Sequence, residues 1–350
     1  MKKKVIRSTL VVAFIGVTLF LLQRLLMPKY VKGVVEGALT AEYYQETTDH
    51  DVLMVGDCEV YENLSPIKMW EDYGITSYIR GSAQQLIWQS YAMLEDALRY
   101  EKPKVVVFNV LAMKYDQPQK ETYNRMTLDG MRWSKTKIDA INASMCEGES
   151  FLSYVFPLLR YHSRWSDLDS DDVRYMFDSK KISHNGYYMR VDEKAAEDIP
   201  KGKALNNYTF GENAYKYLDK MVKLCKENDI KLVLIKAPSL YPYWYEEWER
   251  QMEDYAKKNE VEYINFLKCK EQVGLDFKKD TYDGGLHLNL SGAEKLSTYF
   301  GNWLKQNYGL EDHRKDADIA KVYEEKVKFY NDMKQAQYKE VEAFGKVVNY

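Results

Sequence analysis

Residues 51–66, DVLMVGDCEVYENLSP, decide how the rest of this 350-residue chain is interpreted. Residues 52–55 form a short apolar run that ends at a glycine and an aspartate, a pattern typical of a buried strand in a parallel sheet. In an open α/β sheet, ligands bind outside the carboxyl ends of the strands. We therefore expect Cys58, which follows the turn, to lie at that edge. If its neighbouring amides open a helix, they would lower the pKa of the thiol and stabilise an oxyanion.

A second polar turn lies far downstream, at residues 280–294, DTYDGGLHLNLSGAE. Acidic residues, a glycine pair and His287 come directly before a segment with the composition of a helix. A thiol after the first strand and an Asp/His pair before the last helix supply a nucleophile, a base and an orienting carboxylate. Asp283, four residues before His287, is the predicted orienting residue, and Asp280 is the weaker alternative.

These two blocks resemble the first and last motifs of the SGNH/GDSL hydrolases. The GDC turn at 56–58 stands where that family has Gly-Asp-Ser, and DGGLHLN at 283–289 is similar to its Asp-x-x-His block. The resemblance is strongest to the membrane-anchored branch, which includes polysaccharide O-acetyltransferases and the D-alanine-transfer protein of teichoic acids. The sequence departs from the pattern twice. The family's serine is Cys58, and the spacing between Asp283 and His287 is one residue longer, which a Gly-Gly turn can absorb.

The resemblance implies an α/β fold with a flavodoxin-like, doubly wound parallel sheet, the SGNH hydrolase fold. The alternation of strand and helix patterns over residues 212–264 independently favours a parallel sheet. The resemblance also implies an oxyanion hole formed by the backbone of Cys58, by Gly81 after the second strand and by the side chain of Asn109 after the third. From the residues alone, Gly81 fits equally well as a turn glycine.

The amino terminus predicts a membrane anchor. Basic residues at 2–4 and 7 precede an uncharged apolar run over residues 8–23, close to the ~20 residues that cross a bilayer. No small-residue cleavage site follows the run, which favours a retained anchor over a cleaved signal peptide. The basic flank predicts a single-pass protein of the cell membrane, with the amino terminus inside and the bulk of the chain extracytoplasmic.

The sequence divides into four segments. Residues 1–28 are the cytoplasmic tip and transmembrane anchor, 29–50 a linker, 51–310 the SGNH-like domain and 311–350 a charged helical tail. Within the domain, residues 113–208 interrupt the strand–helix alternation and are interpreted as an insertion that acts as a lid or selects substrate.

Composition limits the classes of partner. The 50 Lys and Arg residues nearly balance the 53 Asp and Glu residues, so the sequence predicts no nucleic-acid surface. The four cysteines have no CxxC or metal-ligand spacing, and neither a P-loop nor a Rossmann glycine motif occurs, so no metal or other cofactor is predicted. Lys236, which follows the fourth strand, is expected at the same edge as Cys58, bound to substrate, to a helix end or to solvent.

The predicted function is that of an acyltransferase or esterase. Cys58 attacks an ester, His287 accepts its proton and Asp283 holds the imidazole. The outside location favours envelope polysaccharide or a lipid-linked glycan as substrate, and the resemblance alone implies a membrane acyl-donor protein as partner. Two alternatives are a catalytically inactive SGNH-fold domain that binds polysaccharide, and a structural subunit of an envelope assembly that docks through residues 311–350.

Overall fold

A five-stranded, fully parallel sheet forms the centre of the protein, whose computed structural model describes residues 2–28, 36–177 and 181–348. The strands are β1 (Val52–Gly56), β2 (Ser77–Gly81), β3 (Val105–Asn109), β4 (Lys231–Lys236) and β5 (Glu262–Asn265). Their order across the sheet is β2-β1-β3-β4-β5. This is the flavodoxin-like order of a doubly wound sheet, so the predicted fold class is confirmed.

Helices surround the sheet and form most of the remaining structure. In chain order they are α1 (Lys2–Leu26), α2 (Glu36–Glu42), α3 (Cys58–Tyr61), α4 (Pro66–Tyr73), α5 (Ile87–Ala97), α6 (Glu121–Leu128), α7 (Lys135–Ser144), α8 (Phe151–Val155), α9 (Leu158–Tyr161), α10 (Ser170–Arg174), α11 (Glu212–Glu227), α12 (Glu246–Asn259), α13 (Lys270–Val273), α14 (Leu290–Tyr308) and α15 (Ala317–Phe344). Short 3₁₀ turns lie at Tyr43–Gln45, Val110–Lys114, His162–Ser166 and His313–Lys315.

Alternate residues of each strand enter two different hydrophobic cores, because successive side chains of a strand point to opposite faces. In β1, Val52 and Met54 pack with α4, α14 and α15, whereas Leu53 and Val55 pack with α5, α11 and α12. All four side chains are fully buried. Helices on both faces explain why β1 is a continuous apolar run instead of an alternating one.

The structure divides the 113–208 segment into two parts with different positions. Helices α6 to α10 and their connections form the outer part. Residues 182–196 instead return to the sheet, where the backbone N–H of Ile79 in β2 donates to the carbonyl of Asn185 at 2.9 Å. Tyr187 and Met189 are fully buried in the core that contains α14. This return segment protects the exposed edge of the sheet. The lid role of the 113–208 segment stays a prediction.

The carboxy-terminal helix α15 packs against the domain along one face. Tyr323 and Tyr330 are buried, and the ring of Tyr323 stacks on Trp70 with 4.0 Å between centroids. The Tyr330 hydroxyl donates to Glu294 at 3.1 Å. The predicted helical tail is therefore part of the core and not a free arm.

Helix α1 is long and apolar enough to cross a membrane. Its most apolar 18-residue window has a mean hydropathy of 2.3 and none of that window is buried against the rest of the protein. Both a membrane anchor and a signal sequence have these properties.

Candidate functional site

The turn after β1 places Cys58 at the carboxyl edge of the sheet. Gly56 has a φ of +155°, and a Cβ at this position would lie 2.6 Å from the Val60 side chain, so only glycine fits the turn. Asp57 then caps α3 by accepting a hydrogen bond from the backbone N–H of Glu59 at 3.2 Å. Cys58 is the first residue of α3 and is partly exposed. The strand, the glycine and the cap together fix the position of the thiol.

Asp283 and His287 form the carboxylate–imidazole pair that the sequence predicted. The Nδ1 atom of His287 lies 2.7 Å from Asp283 Oδ2. The other carboxylate oxygen accepts hydrogen bonds from the backbone N–H groups of His287 at 2.9 Å and Leu286 at 3.2 Å. Gly284 and Gly285 both have positive φ, +87° and +107°, and this glycine pair absorbs the additional residue between Asp283 and His287.

The structure brings Cys58 to the same imidazole. Burial raises the pKa of the Cys58 thiol and the nearby His287 opposes that rise, while Cys58 in turn raises the pKa of His287. The Nε2 atom of His287, on the side of the ring away from Asp283, is buried and has no hydrogen-bond partner among the described residues. The three predicted catalytic side chains therefore form one connected unit, Cys58–His287–Asp283, in which His287 is hydrogen-bonded to Asp283 and interacts electrostatically with Cys58.

Burial opposes ionisation of Cys58. It raises the pKa of the thiol to about 11, and the carboxylates of Asp57 and Glu62 add to the increase, against the opposite effect of His287. The sequence led us to expect a lowered pKa from the amides of a following helix. That expectation is wrong, because α3 has only four residues and cannot offset the desolvation of the thiolate.

A second carboxylate, Glu62, lies beside His287 and was not identified from the sequence. Its Oε2 atom is 3.6 Å from His287 Nδ1 and accepts a hydrogen bond from the hydroxyl of Tyr282. Burial lowers the pKa of His287, but the charge of Glu62, then Cys58 and Asp283, outweigh it and raise that pKa well above its ordinary value. The sequence feature that could have indicated Glu62 is its spacing from Cys58, because residues four apart lie on the same side of a helix.

Gly81 and Asn109 lie near the nucleophile turn, in positions that hold the fold together. Gly81 pairs with Gly56 across the β1–β2 ladder, and a Cβ there would lie 3.2 Å from the ring of Tyr61. The amide nitrogen of Asn109 donates to Asp57 Oδ1 and to Glu59 Oε2, both at 3.0 Å. Both amide hydrogens of Asn109 are thus engaged beneath the turn, and the oxyanion roles of these two residues stay predictions.

Lys236 lies under the same turn, and our expectation that it binds substrate, a helix end or solvent is wrong. Its ammonium group is 2.9 and 3.0 Å from the carboxylate oxygens of Glu59 and donates to the carbonyl of Ala237 at 2.7 Å. The Lys236 and Glu59 side chains are fully buried. Burial and the charge of Glu59 raise the pKa of Asp57 to about 6. A buried polar cluster of Asp57, Glu59, Asn109 and Lys236 therefore supports the Cys58 turn from within the protein.

The alternative orienting residue, Asp280, is bound elsewhere. Its carboxylate lies 2.7 Å from the ammonium group of Lys295 and accepts hydrogen bonds from Ser291 at 2.8 Å and from the backbone N–H of Asp276 at 2.7 Å. The side chain of Asp280 is almost completely buried in these contacts. Asp280 therefore stabilises the loop before α14, and the geometry favours Asp283 as the residue that orients His287.

Comparison with known proteins gives distant structural similarity only. The chain is similar to a proposed acylhydrolase from Bacteroides fragilis NCTC 9343, with 12% sequence identity and a TM-score of 0.38 over 77% of this chain and 95% of that chain. It is also similar to a GDSL-like lipase from Bacteroides thetaiotaomicron VPI-5482, with 12% identity and a TM-score of 0.37 over 78% and 98% of the two chains. No family model and no curated protein matches the chain. Because these superpositions are loose, the fold assignment rests on the sheet order and the interpretation of the site rests on its own geometry.

Proposed function

We propose that this protein is a membrane-anchored, extracytoplasmic acyltransferase or esterase of the SGNH/GDSL type that acts on envelope polysaccharide or lipid-linked glycan. The observation that carries the proposal is the connected unit of Cys58, His287 and Asp283 at the carboxyl edge of a doubly wound sheet. A nucleophile, a base and an orienting carboxylate in contact are what acyl transfer through a covalent intermediate requires.

In the proposed reaction, the sulfur of Cys58 attacks the carbonyl carbon of an ester while its proton moves to His287 Nε2. The backbone N–H of Cys58 is a donor for the resulting oxyanion. Collapse of the tetrahedral intermediate expels the alcohol, which takes the proton from His287, and leaves a thioester on Cys58. A sugar hydroxyl or water then attacks the thioester as His287 removes its proton, and Cys58 leaves as a thiolate that is reprotonated. Asp283 keeps Nδ1 protonated throughout, so that Nε2 is the basic nitrogen.

The membrane location in the proposal is supported by α1 and by the basic residues at positions 2–4 and 7. A retained span would hold the site near lipid-linked glycans and near a membrane protein that donates the acyl group. Cys58 is partly exposed as a residue at the edge of the sheet, which suits attack by a hydroxyl on a polymer. The donor protein is inferred from the family resemblance alone.

One observation favours a second candidate function, a polysaccharide-binding domain without catalysis. Burial raises the pKa of Cys58 to about 11, so few thiolates exist at neutral pH unless His287 takes the proton. In this second function Cys58 replaces an ancestral serine at a site that retains only its binding surface.

An acyl adduct separates the two functions. The full chain, purified in detergent, is incubated with p-nitrophenyl acetate and examined by peptide mass spectrometry. We expect an acetyl adduct on Cys58 that is absent in His287→Ala. Cys269→Ser, which changes another partly exposed cysteine, is the matched control and should keep the adduct on Cys58. If the folded wild-type protein forms no adduct, and the Cys58→Ala variant still binds glycan, the protein is a binding domain.

A further inference from the structure

The outer part of the 113–208 segment carries a concentrated apolar surface. We call residues 151–177, which span α8 to α10 and the chain just beyond, the 151–177 surface. Outside α1, twelve large apolar side chains of the described residues are exposed, and six of them lie on this short surface. Those six are 52% to 80% exposed and are Leu152, Phe156, Leu159, Trp165, Val173 and Phe177. Large apolar groups gathered in this way mark a surface that binds an apolar partner.

The 151–177 surface contacts the end of α1 that leads into the domain. The Arg24 guanidinium donates to the carbonyl of Met176 at 2.9 Å, and the Arg164 guanidinium donates to the carbonyl of Leu26 at 2.5 Å. Helix α1 also packs against α9, α10 and the 3₁₀ turn at His162–Ser166. The apolar surface is therefore continuous with the point where the candidate membrane span ends.

We propose that the 151–177 surface rests on the outer leaflet of the bilayer, with Trp165 and Phe156 among the side chains that enter the lipid. The proposal rests on α1 being the retained span of the proposed function. A surface joined to the end of a span lies at the membrane–water boundary, where tryptophan is enriched because its ring is apolar and its N–H is polar. Protein segments at such boundaries bind by burying apolar side chains among the lipid head groups and the adjoining acyl chains.

The charges on this surface indicate which lipids it contacts. The side chains of Arg160 and Arg174 are exposed, and each is already paired with a carboxylate, Glu121 and Asp171 respectively. Residues 151–177 contain three arginines and four aspartates, so the surface has no net basic character. The contact is therefore driven by apolar burial and forms on zwitterionic lipid without a requirement for anionic lipid.

A second membrane contact would orient the catalytic domain. A single span limits the distance of a domain from the bilayer but does not by itself fix the orientation of the domain. With α1 and the 151–177 surface both in contact with lipid, the carboxyl edge that carries Cys58 would keep one orientation towards substrates held in the membrane.

Quenching by brominated lipid tests the contact, because bromine on an acyl chain quenches only tryptophans that reach the hydrocarbon. The full chain is reconstituted in phosphatidylcholine vesicles with and without brominated chains. We expect Trp165→Phe to reduce the quenched part of the emission at least twofold. Trp133→Phe, which removes another exposed tryptophan before α7, should leave the quenched part unchanged.

A second measurement does not depend on tryptophan. Amide hydrogen exchange of residues 151–177 should slow when the protein is transferred from detergent to vesicles. The double variant Phe156→Glu/Phe177→Glu should abolish that slowing. The control Phe344→Glu, which changes an exposed phenylalanine at the end of α15, should leave the slowing intact. A membrane-bound chain with equal quenching in Trp165→Phe would overturn the lipid contact alone. If residues 151–177 are protected from hydrogen exchange only when another protein is added, the surface binds a protein and not lipid. Recovery of a soluble chain without α1 would overturn both the anchor and the lipid contact.

Discussion

Two carboxylates lie near the Nδ1 atom of His287, with Asp283 Oδ2 at 2.7 Å and Glu62 Oε2 at 3.6 Å. The charges of Glu62, Cys58 and Asp283 raise the pKa of the imidazole well above its ordinary value, despite burial. Below that pKa the imidazole holds a second proton and cannot accept the proton of Cys58. The reactivity of the thiol should therefore be low in acid and increase as the pH rises through the pKa of His287.

The Glu62→Gln substitution tests this electrostatic effect. Glutamine keeps the size of the side chain and accepts the Tyr282 hydrogen bond, but it removes a negative charge beside the imidazole. The pKa of His287 should fall, and the acid limb of Cys58 reactivity should move about one pH unit lower. The measurement is the rate of iodoacetamide modification of Cys58 between pH 5.5 and 9.5, followed by peptide mass spectrometry. Glu147→Gln, at an exposed position, is the control. If the modification rate reaches half its maximum at the same pH in wild type and in Glu62→Gln, Glu62 does not affect the pKa of His287.

The two aspartates before His287 should respond differently to the same change. Asp283→Asn removes the group that fixes the tautomer, and loss of such a group costs about 10⁴ in turnover in serine proteases. The fold should survive, because Asp283 is partly exposed and asparagine still accepts the two backbone hydrogen bonds. Asp280→Asn should instead lower the Tm, since it weakens the buried contact with Lys295. The measurements are the esterase rate and the Tm of both variants. Full esterase activity in Asp283→Asn would show that Asp283 has no role in the mechanism.

At the scale of elements, the strands could be predicted because their signal is local. The runs over residues 52–55, 105–108 and 231–235 are short, apolar apart from Lys231 and bounded by turn residues, and β1, β3 and β4 each extend one residue beyond the run that predicted them. The return segment at 182–196 has no such periodicity, and its place at the edge of β2 depends on tertiary contacts. Lys236 was misjudged for the same reason, since its partner Glu59 is 177 positions away in the sequence.

The candidate site also has one part that could be predicted from the sequence and one part that could not. The positions of Cys58, Asp283 and His287 follow from residue types at the ends of elements, which a motif describes. Glu62 and the buried cluster under the turn depend on how α3, β3 and β4 pack together, which a motif does not describe. Residue types that do chemistry were therefore visible in the sequence, whereas the groups that set the pKa of His287 and support the turn were not.

The buried cluster predicts a large effect from a substitution that touches no catalytic residue. Lys236→Met leaves the Glu59 carboxylate buried without its ion pair, which costs about 3–5 kcal/mol of unfolding free energy. The Tm should fall by several degrees, and Glu59→Gln added to Lys236→Met should restore part of the loss because the unpaired charge is gone. Thermal unfolding of the full chain in detergent gives the values. Lys135→Met, which breaks an exposed pair with Asp139, is the control, and an equal Tm for Lys236→Met and Lys135→Met would contradict the argument.

At the scale of the whole molecule, the role of α15 changes how a structural function can be tested. A docking tail could be deleted without harm to the rest of the domain. Here Tyr323 and Tyr330 of α15 are buried against the core, and Gln337 donates to the carbonyl of Met189 at 3.0 Å. Deletion of residues 311–350 would therefore disturb the fold itself, and loss of function on deletion would not identify a docking site.

The last prediction concerns the orientation of the chain across the membrane. Helix α1 exposes its apolar side chains along its length, and the basic residues at positions 2–4 and 7 lie at its amino-terminal end. Lysine and arginine concentrate on the cytoplasmic side of a span, so the domain should lie outside the cell. An alkaline phosphatase fused after residue 350 should be active, and the full-length chain should stay in membranes after carbonate extraction.

The matched control reverses the charge signal. Replacing the four basic residues at positions 2–4 and 7 with glutamine should reduce phosphatase activity, because the preference for the cytoplasmic side at this end of the span is lost. Intact mass then separates an anchor from a signal sequence. A retained span gives the mass of the full chain in the membrane fraction. A soluble product that begins after residue 27 would show that α1 is removed and that the candidate site of Cys58, His287 and Asp283 is not tethered to the membrane.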